Sequence, residues 1–206
     1  RGESNVQGST DHAALFHILP GYLKYPKANQ PTLVKYNEDN TPKSKDPQSL
    51  NWWGNTPKYI ASLMKAWWRD ADLETAYSYL PKIDDGKNYS YLPIFSAMAN
   101  QEIKGMFCWG MNPAVGAPSS RMIRRCLAQL DWMVCIDLWE TETSAFWQKD
   151  AGVIPADIKT EVFLLPAAAS MEKEGSVSNS GRWVQWRYKA VEPLGHSEDD
   201  LWIINQ

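Results

Sequence analysis

Three short apolar runs, set apart by helix-like segments, constrain the fold of this 206-residue chain more than any other feature. The runs are GMFCW at 105–109, DWMVCIDL at 131–138 and EVFLLP at 161–166. A near-continuous apolar run of this length is typical of a strand buried on both faces of a parallel sheet. Parallel neighbours need a crossover connection, usually a right-handed one through a helix. The second half of the chain therefore predicts an α/β fold with an open, Rossmann-like parallel sheet.

The segments between and before these runs carry helix signals. SSRMIRRCLAQL at 119–130 has an apolar stripe opposite its arginines, and ETETSAFWQ at 140–148 predicts a second helix. Earlier in the chain, helices are predicted at about 57–69, where Pro57 suits the first turn, and at about 91–101.

The first half of the chain has a different character. Residues 20–58 are rich in Pro, Asn, Lys and Tyr and show little periodicity, which predicts a long, mostly irregular segment. We therefore divide the chain into an irregular, aromatic-rich and partly helical part at 1–103 and an α/β part at 104–206.

Composition narrows the class of protein. The net charge of −3 argues against a nucleic-acid partner, and no apolar run approaches the roughly 20 residues that span a bilayer. The cysteines Cys108, Cys126 and Cys135 fit no metal-ligand spacing and are expected to be buried thiols. The 11 tryptophans favour a core shared with other parts of a larger protein over a stacking platform.

A candidate ligand site lies where the predicted strands end, since ligands of open parallel sheets bind beyond the carboxyl ends of the strands. Polar residues and turn formers follow all three runs: Gly110, Asn112, Pro113, Asp137, Thr141, Thr143 and Lys173. An aspartate there can accept hydrogen bonds from a guanine edge or a ribose, a threonine can meet a phosphate, and a lysine supplies positive charge. Singly, Asp137 could cap a helix, Asn112 could make a turn and Lys173 could be solvated. Together they favour a nucleotide-type site.

The chain shows no self-sufficient catalytic pattern. It has no phosphate-binding glycine motif and no recognisable nucleophile–histidine pair, and His12 and His17 are off helical register for a shared metal. A reaction in which this chain takes part would need a cofactor to carry the chemistry.

Several segments resemble one family over essentially the whole chain. RGESNVQGSTD, NWWGN, GMNPAVG, IDLWETETSAFW, EVFLLPAAASMEKEGSVSNSGRW and SEDDLW occur in order and at suitable spacing. They are similar to the central part of the catalytic subunit of molybdopterin oxidoreductases, and above all to respiratory and sulfate-reducer formate dehydrogenases. The resemblance implies formate oxidation to CO2 at molybdenum or tungsten held by a bis-molybdopterin guanine dinucleotide. Electrons would leave through iron–sulfur clusters.

The resemblance also implies roles for individual residues. Arg1, in the Arg-Gly-x-x-Asn-Val-Gln-Gly opening, would be catalytic and hold the formate carboxylate or the CO2 product. The residues implied to lie near or bind the cofactor are Gly2, Glu3, Asn112, Ile136 through its backbone, Asp137, Lys173 and Asp200. Glu3 is at a position where the family varies.

Parts of the family pattern have no equivalent in this sequence, among them the metal's cysteine or selenocysteine ligand and the cysteines of a [4Fe-4S] cluster. We therefore expect this chain to be a segment of a larger subunit, inactive by itself and without a membrane span of its own. Its expected partners are the remaining segments and an iron–sulfur subunit, and its expected location is the periplasm. The alternatives are another molybdopterin oxidoreductase, such as a nitrate reductase, and a noncatalytic nucleotide-binding α/β domain.

Overall fold

The computed structural model describes residues 5–12, 18–84, 86–148 and 154–206. It divides into two compact units: one comprises residues up to Lys87 together with Ser176–Gln185, and the other comprises Asn88–Gly175 with Trp186–Gln206. This division differs from the predicted boundary at 103/104. It differs because the helix that begins at Tyr91 buries Phe95 and Met98 in the same core as the strands that follow.

Among the described residues, the first unit contains four α-helices, two short 3-10 helices and a short antiparallel strand pair. Its elements are α1 (Val6–Asp11), β1 (Ile18–Leu19), β2 (Leu23–Lys24), α2 (Leu33–Asn40), α3 (Thr56–Trp67) and α4 (Leu73–Tyr79). The helix predicted at 57–69 is confirmed as α3, with Pro57 in its first turn and Ile60 and Met64 buried.

The expectation that 20–58 is mostly irregular was wrong for Leu33–Asn40, which form α2. The side chain of Thr32 accepts a hydrogen bond from the Lys35 amide and so caps the helix. Leu33 and Tyr36 then bury one side of a helix whose other positions are polar or exposed. A stripe this narrow gives little periodicity in the sequence, which is why the helix was missed.

Two buried tyrosines anchor the core of the first unit. The rings of Tyr36 and Tyr77 lie 5.8 Å apart, and their hydroxyls donate to the carbonyls of Lys24 and Gln30 at 2.7 and 2.8 Å. Burial raises the pKa of Tyr77 to about 12, so its hydroxyl stays protonated as a donor at neutral pH. The tyrosines thus bring apolar area into the core while satisfying main-chain acceptors.

The second unit is organised around a parallel three-stranded sheet. Its elements are α5 (Tyr91–Ala99), β3 (Gly105–Trp109), α6 (Pro113–Gly116), α7 (Ser120–Leu127), β4 (Trp132–Asp137) and β5 (Glu161–Pro166). The strand order is β3–β4–β5, and both pairs are parallel. The three predicted strands and the α/β class are therefore confirmed.

After β5 the chain forms a two-stranded sheet from β6 (Gly175–Ser178) and β7 (Val184–Arg187), and it ends in α8 (Asp200–Ile204). No helix among the residues described by the structure is long and apolar enough to cross a membrane.

One face of the three-stranded sheet carries the core of the second unit. Cys108, Met133 and Cys135 point to this face and pack against α5 and α7. All three cysteines of the chain are buried and free, as expected. On the other face, Phe107 is 65% exposed and Phe163 is 45% exposed, so burial on both faces is not realised within the described residues.

The helix predicted at 140–148 is absent, and turns occupy Glu142–Trp147 instead. The Thr141 amide donates to the Ser144 hydroxyl at 3.0 Å, and that hydroxyl donates back to the Thr141 carbonyl at 2.9 Å. Such local side-chain bonds offer the backbone an alternative to the helical ladder.

We expect Tyr77→Phe to lower the free energy of unfolding by about 1–3 kcal/mol, because the buried Gln30 carbonyl loses its donor. Denaturant titration of the chain measures the effect. Tyr79→Phe is the matched control, since Tyr79 is 55% exposed and keeps its ring contact with Trp68. Equal losses in the two variants would contradict the assignment of the effect to the buried hydrogen bond.

Candidate functional site

The three parallel strands end at one edge of the sheet, and the register fixes where the following loops begin. Trp109 lies opposite Ile136, and Asp137 lies opposite Pro166. The Gly110 amide donates to the Ile136 carbonyl at 2.9 Å, which extends the ladder by one residue. Gly110 has a φ of 58°, and a Cβ added there would meet no atom within 4 Å. The chain therefore turns away from β3 over an open position that suits glycine.

A first polar cluster joins the loops that follow β3 and β4. Asn112 accepts from the Thr143 hydroxyl at 2.8 Å and donates to Glu142 at 2.6 Å. The same hydroxyl accepts from the Ala114 amide at 3.0 Å. Asn112, Pro113 at the start of α6, and Thr143 are thus brought together as a structural brace. Thr143 is fully buried, so its hydroxyl serves this brace in the described structure.

Glu142 is part of this cluster, although the sequence did not predict it as a site residue. The hydrogen bond from Asn112 lowers the pKa of Glu142, so the carboxylate is charged at neutral pH. The only signal in the sequence was a carboxylate between the two threonines that follow β4.

A cleft of about 340 Å³ opens beside this cluster and is lined by Asn112, Trp139, Glu140, Thr141, Glu142, Ala145 and Gln148. Two carboxylates on its wall disfavour an anion such as phosphate. The same carboxylates are good acceptors for amino, imino or hydroxyl donors. The cleft therefore suits the base or ribose end of a nucleotide better than its phosphates.

A second cluster brings the loop after β5 to the end of β3. Asp200 accepts from the Trp109 indole at 2.6 Å through one oxygen and pairs with Lys173 through the other. Burial by itself raises the pKa of Asp200, but the hydrogen bonds from Lys173 and Trp109 outweigh it, so the pKa lies below the ordinary value. Lys173 and Asp200, both predicted site residues, are therefore neighbours.

Backbone pairing next to β5 explains why Asp200 reaches this edge. The Ala168 amide donates to the Glu198 carbonyl at 2.8 Å, and the Glu198 amide donates to Pro166 at 3.3 Å. Asp199 then caps α8 by accepting from Leu201 at 2.8 Å. The role of Trp109 was missed because a sequence does not show which acceptor a partly buried indole finds.

The other predicted residues have separate environments. The side-chain carboxylate of Asp137 accepts a hydrogen bond from the Leu138 amide at 2.8 Å. The main-chain carbonyl of Asp137 accepts one from the Ala167 amide at 3.0 Å. Among the described residues, the side chains of Asn112, Asp137 and Lys173 share an edge but form no hydrogen bonds with one another. Arg1, Gly2 and Glu3 lie outside the described residues, so the roles predicted for them stay predictions.

The part of the chain that the structure describes contains no group of three or more His, Cys, Asp or Glu side chains placed to hold a metal ion. The residues at this edge supply carboxylate acceptors, a lysine and an exposed glycine turn. In open α/β sheets, loops at the carboxyl ends of the strands are where ligands bind.

Comparison with known proteins places this unit in a family. The model of the molybdopterin oxidoreductase family matches residues 28–206, and the chain belongs to that family. Within it, the formate dehydrogenase subunit alpha of Megalodesulfovibrio gigas is 55% identical over 97% of this chain and 20% of its own length.

Two other relatives agree with this match. Formate dehydrogenase 2 subunit alpha (cytochrome c-553) of Nitratidesulfovibrio vulgaris is 50% identical over 94% of this chain and 19% of its own length. The major subunit of the nitrate-inducible formate dehydrogenase of Escherichia coli is 42% identical over 97% of this chain and 20% of its own length. The chain thus spans about a fifth of the length of these relatives. Among solved structures, acetylene hydratase from Pelobacter acetylenicus aligns with a TM-score of 0.43 and 21% identity over 55% of this chain and 14% of its own, a likeness too weak to bear on the fold.

We expect Asp200→Asn to remove a pH-dependent part of the stability. Because the folded pKa of Asp200 is lowered, its contribution is present above the unfolded value near 3.8 and is lost as the pH falls through the folded pKa. The loss at neutral pH should be at most about 1 kcal/mol, since the pair is about one-third exposed and screened by water.

Unfolding titrations from pH 7 down to about pH 2 should show the two proteins converging as the acid is added. Glu192→Gln is the control, because Glu192 pairs with Lys189 while its side chain is 80% exposed. If the difference in unfolding free energy between the wild type and Asp200→Asn stays constant down to the lowest pH, the charge of Asp200 is not involved.

Proposed function

We propose that this chain is a segment of the catalytic subunit of a formate dehydrogenase, which converts formate to CO2, a proton and two electrons. The observation that carries the proposal is the 55% identity over 97% of the chain to a formate dehydrogenase alpha subunit. The loops at the sheet edge support it, because they offer a nucleotide-type site on the fold of a molybdopterin oxidoreductase.

The cofactor that we propose is a bis-molybdopterin guanine dinucleotide with molybdenum or tungsten, shared with the rest of the subunit. The donor set of the edge fits a guanine, which offers imino and amino donors to carboxylates such as Asp137 and Asp200. Each oxygen of Asp200 keeps an accepting lone pair after its bond to Trp109 or Lys173. When bound, the metal–pterin group would supply the redox chemistry.

The residues of this chain would hold the cofactor through groups of three kinds. Asp137, Asp200 and the backbone of Ile136 would bind the guanine, and the Asn112 turn after Gly110 would contact one dinucleotide. Lys173 would contribute positive charge at the pterin or phosphate end. Its pairing with Asp200 keeps its ammonium at the sheet edge.

Arg1 would bind the substrate, with Gly2 and Glu3 near the pterin. A guanidinium matches the two oxygens of a carboxylate with two parallel N–H donors, so it would hold formate in one orientation. A fixed orientation of the C–H bond lowers the entropic part of the barrier to oxidation.

Electrons would leave through iron–sulfur clusters, including a [4Fe-4S] cluster bound elsewhere in the complete subunit, to an iron–sulfur partner subunit. The support is that relatives are designated subunit alpha or major subunit, and that the one from Nitratidesulfovibrio vulgaris carries cytochrome c-553 in its name. We propose a periplasmic location for the same assembly.

The test uses the complete subunit with its partners. We expect molybdenum or tungsten and guanine dinucleotide in stoichiometric amounts, with formate-dependent reduction of an artificial acceptor. Arg1→Lys keeps the charge but loses the paired donors, and should lower kcat/KM for formate by about 10²-fold. Lys58→Arg, on the exposed side of α3, is the control for a basic-residue exchange.

Other outcomes would overturn this function. Reduction of nitrate without oxidation of formate would identify a different molybdopterin oxidoreductase. A preparation that contains neither metal nor guanine dinucleotide would support a noncatalytic binding domain.

A further inference from the structure

β3 is the outermost strand on its side of the three-stranded sheet, and its outer edge is open. The Gly110 amide donates to β4 at 2.9 Å, and the Lys104 carbonyl accepts from the residue before β4 at 2.7 Å. In a parallel pair the backbone groups of successive residues point alternately toward the partner strand and away from it. The N–H and C=O groups of Gly105, Phe107 and Trp109 therefore point away from β4. Among the described residues, these backbone groups have no hydrogen-bond partner.

The opposite edge of the sheet is protected, whereas the edge of β3 is not. Beside β5, the Pro166 carbonyl accepts from the Glu198 amide at 3.3 Å, and the Ala168 amide donates to the Glu198 carbonyl at 2.8 Å. Proline also has no N–H to leave open. Proteins protect free edges with proline, charged side chains or a covering segment, because an open edge is a template for pairing with another strand. Residues 105–109 contain neither a charge nor a proline, so the sequence leaves this edge available for a further strand.

An apolar cleft of about 290 Å³ runs along the same edge. All five residues of β3 line it, together with residues of α5 that include Tyr91, Phe95 and Met98, but no residue of β4 or β5 does. Successive side chains of a strand point to opposite faces, so a cleft that touches every residue of β3 lies beside its outer edge. A strand paired with β3 would place apolar side chains in this cleft.

We propose that an extended segment of the complete subunit, from outside residues 1–206, pairs with the outer edge of β3 as an added strand. The chain spans about a fifth of the length of its relatives, so a subunit of their length has ample further polypeptide to supply this strand. Three strands are also few, since sheets usually have about four to six. Main-chain hydrogen bonds hold a strand added in this way, and pockets for alternate side chains select its sequence.

This inference goes beyond the proposed function. It shares with that function only the premise that the chain is a segment of a longer subunit, and it is independent of the substrate.

The first test identifies the added strand in the complete subunit with its partners. A photoreactive benzoylphenylalanine replaces Tyr91, which lines the cleft and is 38% exposed. After irradiation and digestion, mass spectrometry should find this position joined to a peptide of the same subunit from outside residues 1–206. The same replacement at the exposed Tyr79, which does not line the cleft, should not capture that peptide. Capture only of peptides from residues 1–206, or only from another subunit, would contradict the proposal.

The second test measures whether the outward backbone groups are paired. Amide hydrogen exchange, resolved to single residues in the complete subunit, compares Phe107 and Trp109 with Met106 and Cys108, whose amides face β4. The two sets should exchange at rates within about 10-fold of each other, because every amide then has an acceptor. A larger excess at Phe107 and Trp109 would show that the edge is open, and the added strand would be excluded.

Proline at position 107 distinguishes pairing from simple burial. Phe107→Pro removes an outward N–H and no bond to β4, so a free edge would tolerate it. If a strand is paired there, the Trp109 amide should exchange at least about 10-fold faster in Phe107→Pro than in Phe107→Ala, which loses the ring but keeps the N–H. The Cys108 amide reports damage to the ladder with β4 and should exchange equally in both variants. Equal exchange at Trp109 in the two variants would argue for burial without pairing and against the proposal.

The outcomes separate this inference from the proposed function. A subunit that oxidises formate while Phe107 and Trp109 exchange rapidly would overturn the added strand alone. Protected amides at both positions, in a subunit that does not oxidise formate, would overturn the proposed function alone.

Discussion

Parallel pairing of β3, β4 and β5 is the constraint on which the second unit depends. In-register pairs such as Cys108 with Cys135 put one face of β3 and β4 into the core formed with α5 and α7, and Val162 of β5 packs against that core. The carboxyl ends of the strands then meet at one edge, so loops more than 20 residues apart in sequence become neighbours. Burial of the core face supplies the stability, at about 1.5–3 kcal/mol for each fully buried large apolar side chain.

The same edge separates two chemical environments. One side carries Glu140 and Glu142 around the cleft, where the hydrogen bond from Asn112 lowers the pKa of Glu142. The other side carries the Lys173–Asp200 pair, in which the two charges largely cancel. Hydrogen-bond donors are therefore favoured at the first position, and an approaching phosphate would have to compete with Asp200 for the lysine. The two sides of the edge therefore differ in charge, and the cleft is the more negative of the two.

The open face of the sheet, opposite the core face, is apolar. Phe107, Phe163 and Leu165 lie on this face at 40–65% exposure, although parallel sheets are normally covered on both faces. The matched relatives are about five times longer than this chain. An apolar face of this kind favours packing against further polypeptide, as expected for a core shared with a larger protein.

The features that the sequence predicted are those that burial alone determines. The helix α3 is visible because its apolar residues follow the helical period, and the strand Trp132–Asp137 is visible because its apolar run is nearly continuous. The sequence predicted a helix where the structure has turns at Glu142–Trp147. Ser144 there bonds the local backbone, and Thr143 accepts from the amide of Ala114 in another loop. Apolar periodicity contains no information about either hydrogen bond. For the same reason the loops could be assigned to one edge, but the pairing of Trp109 with Asp200, 91 residues apart, could not be derived. Polar residues at such an edge form hydrogen bonds with residues that are distant in sequence, so their partners can be identified only from the folded structure.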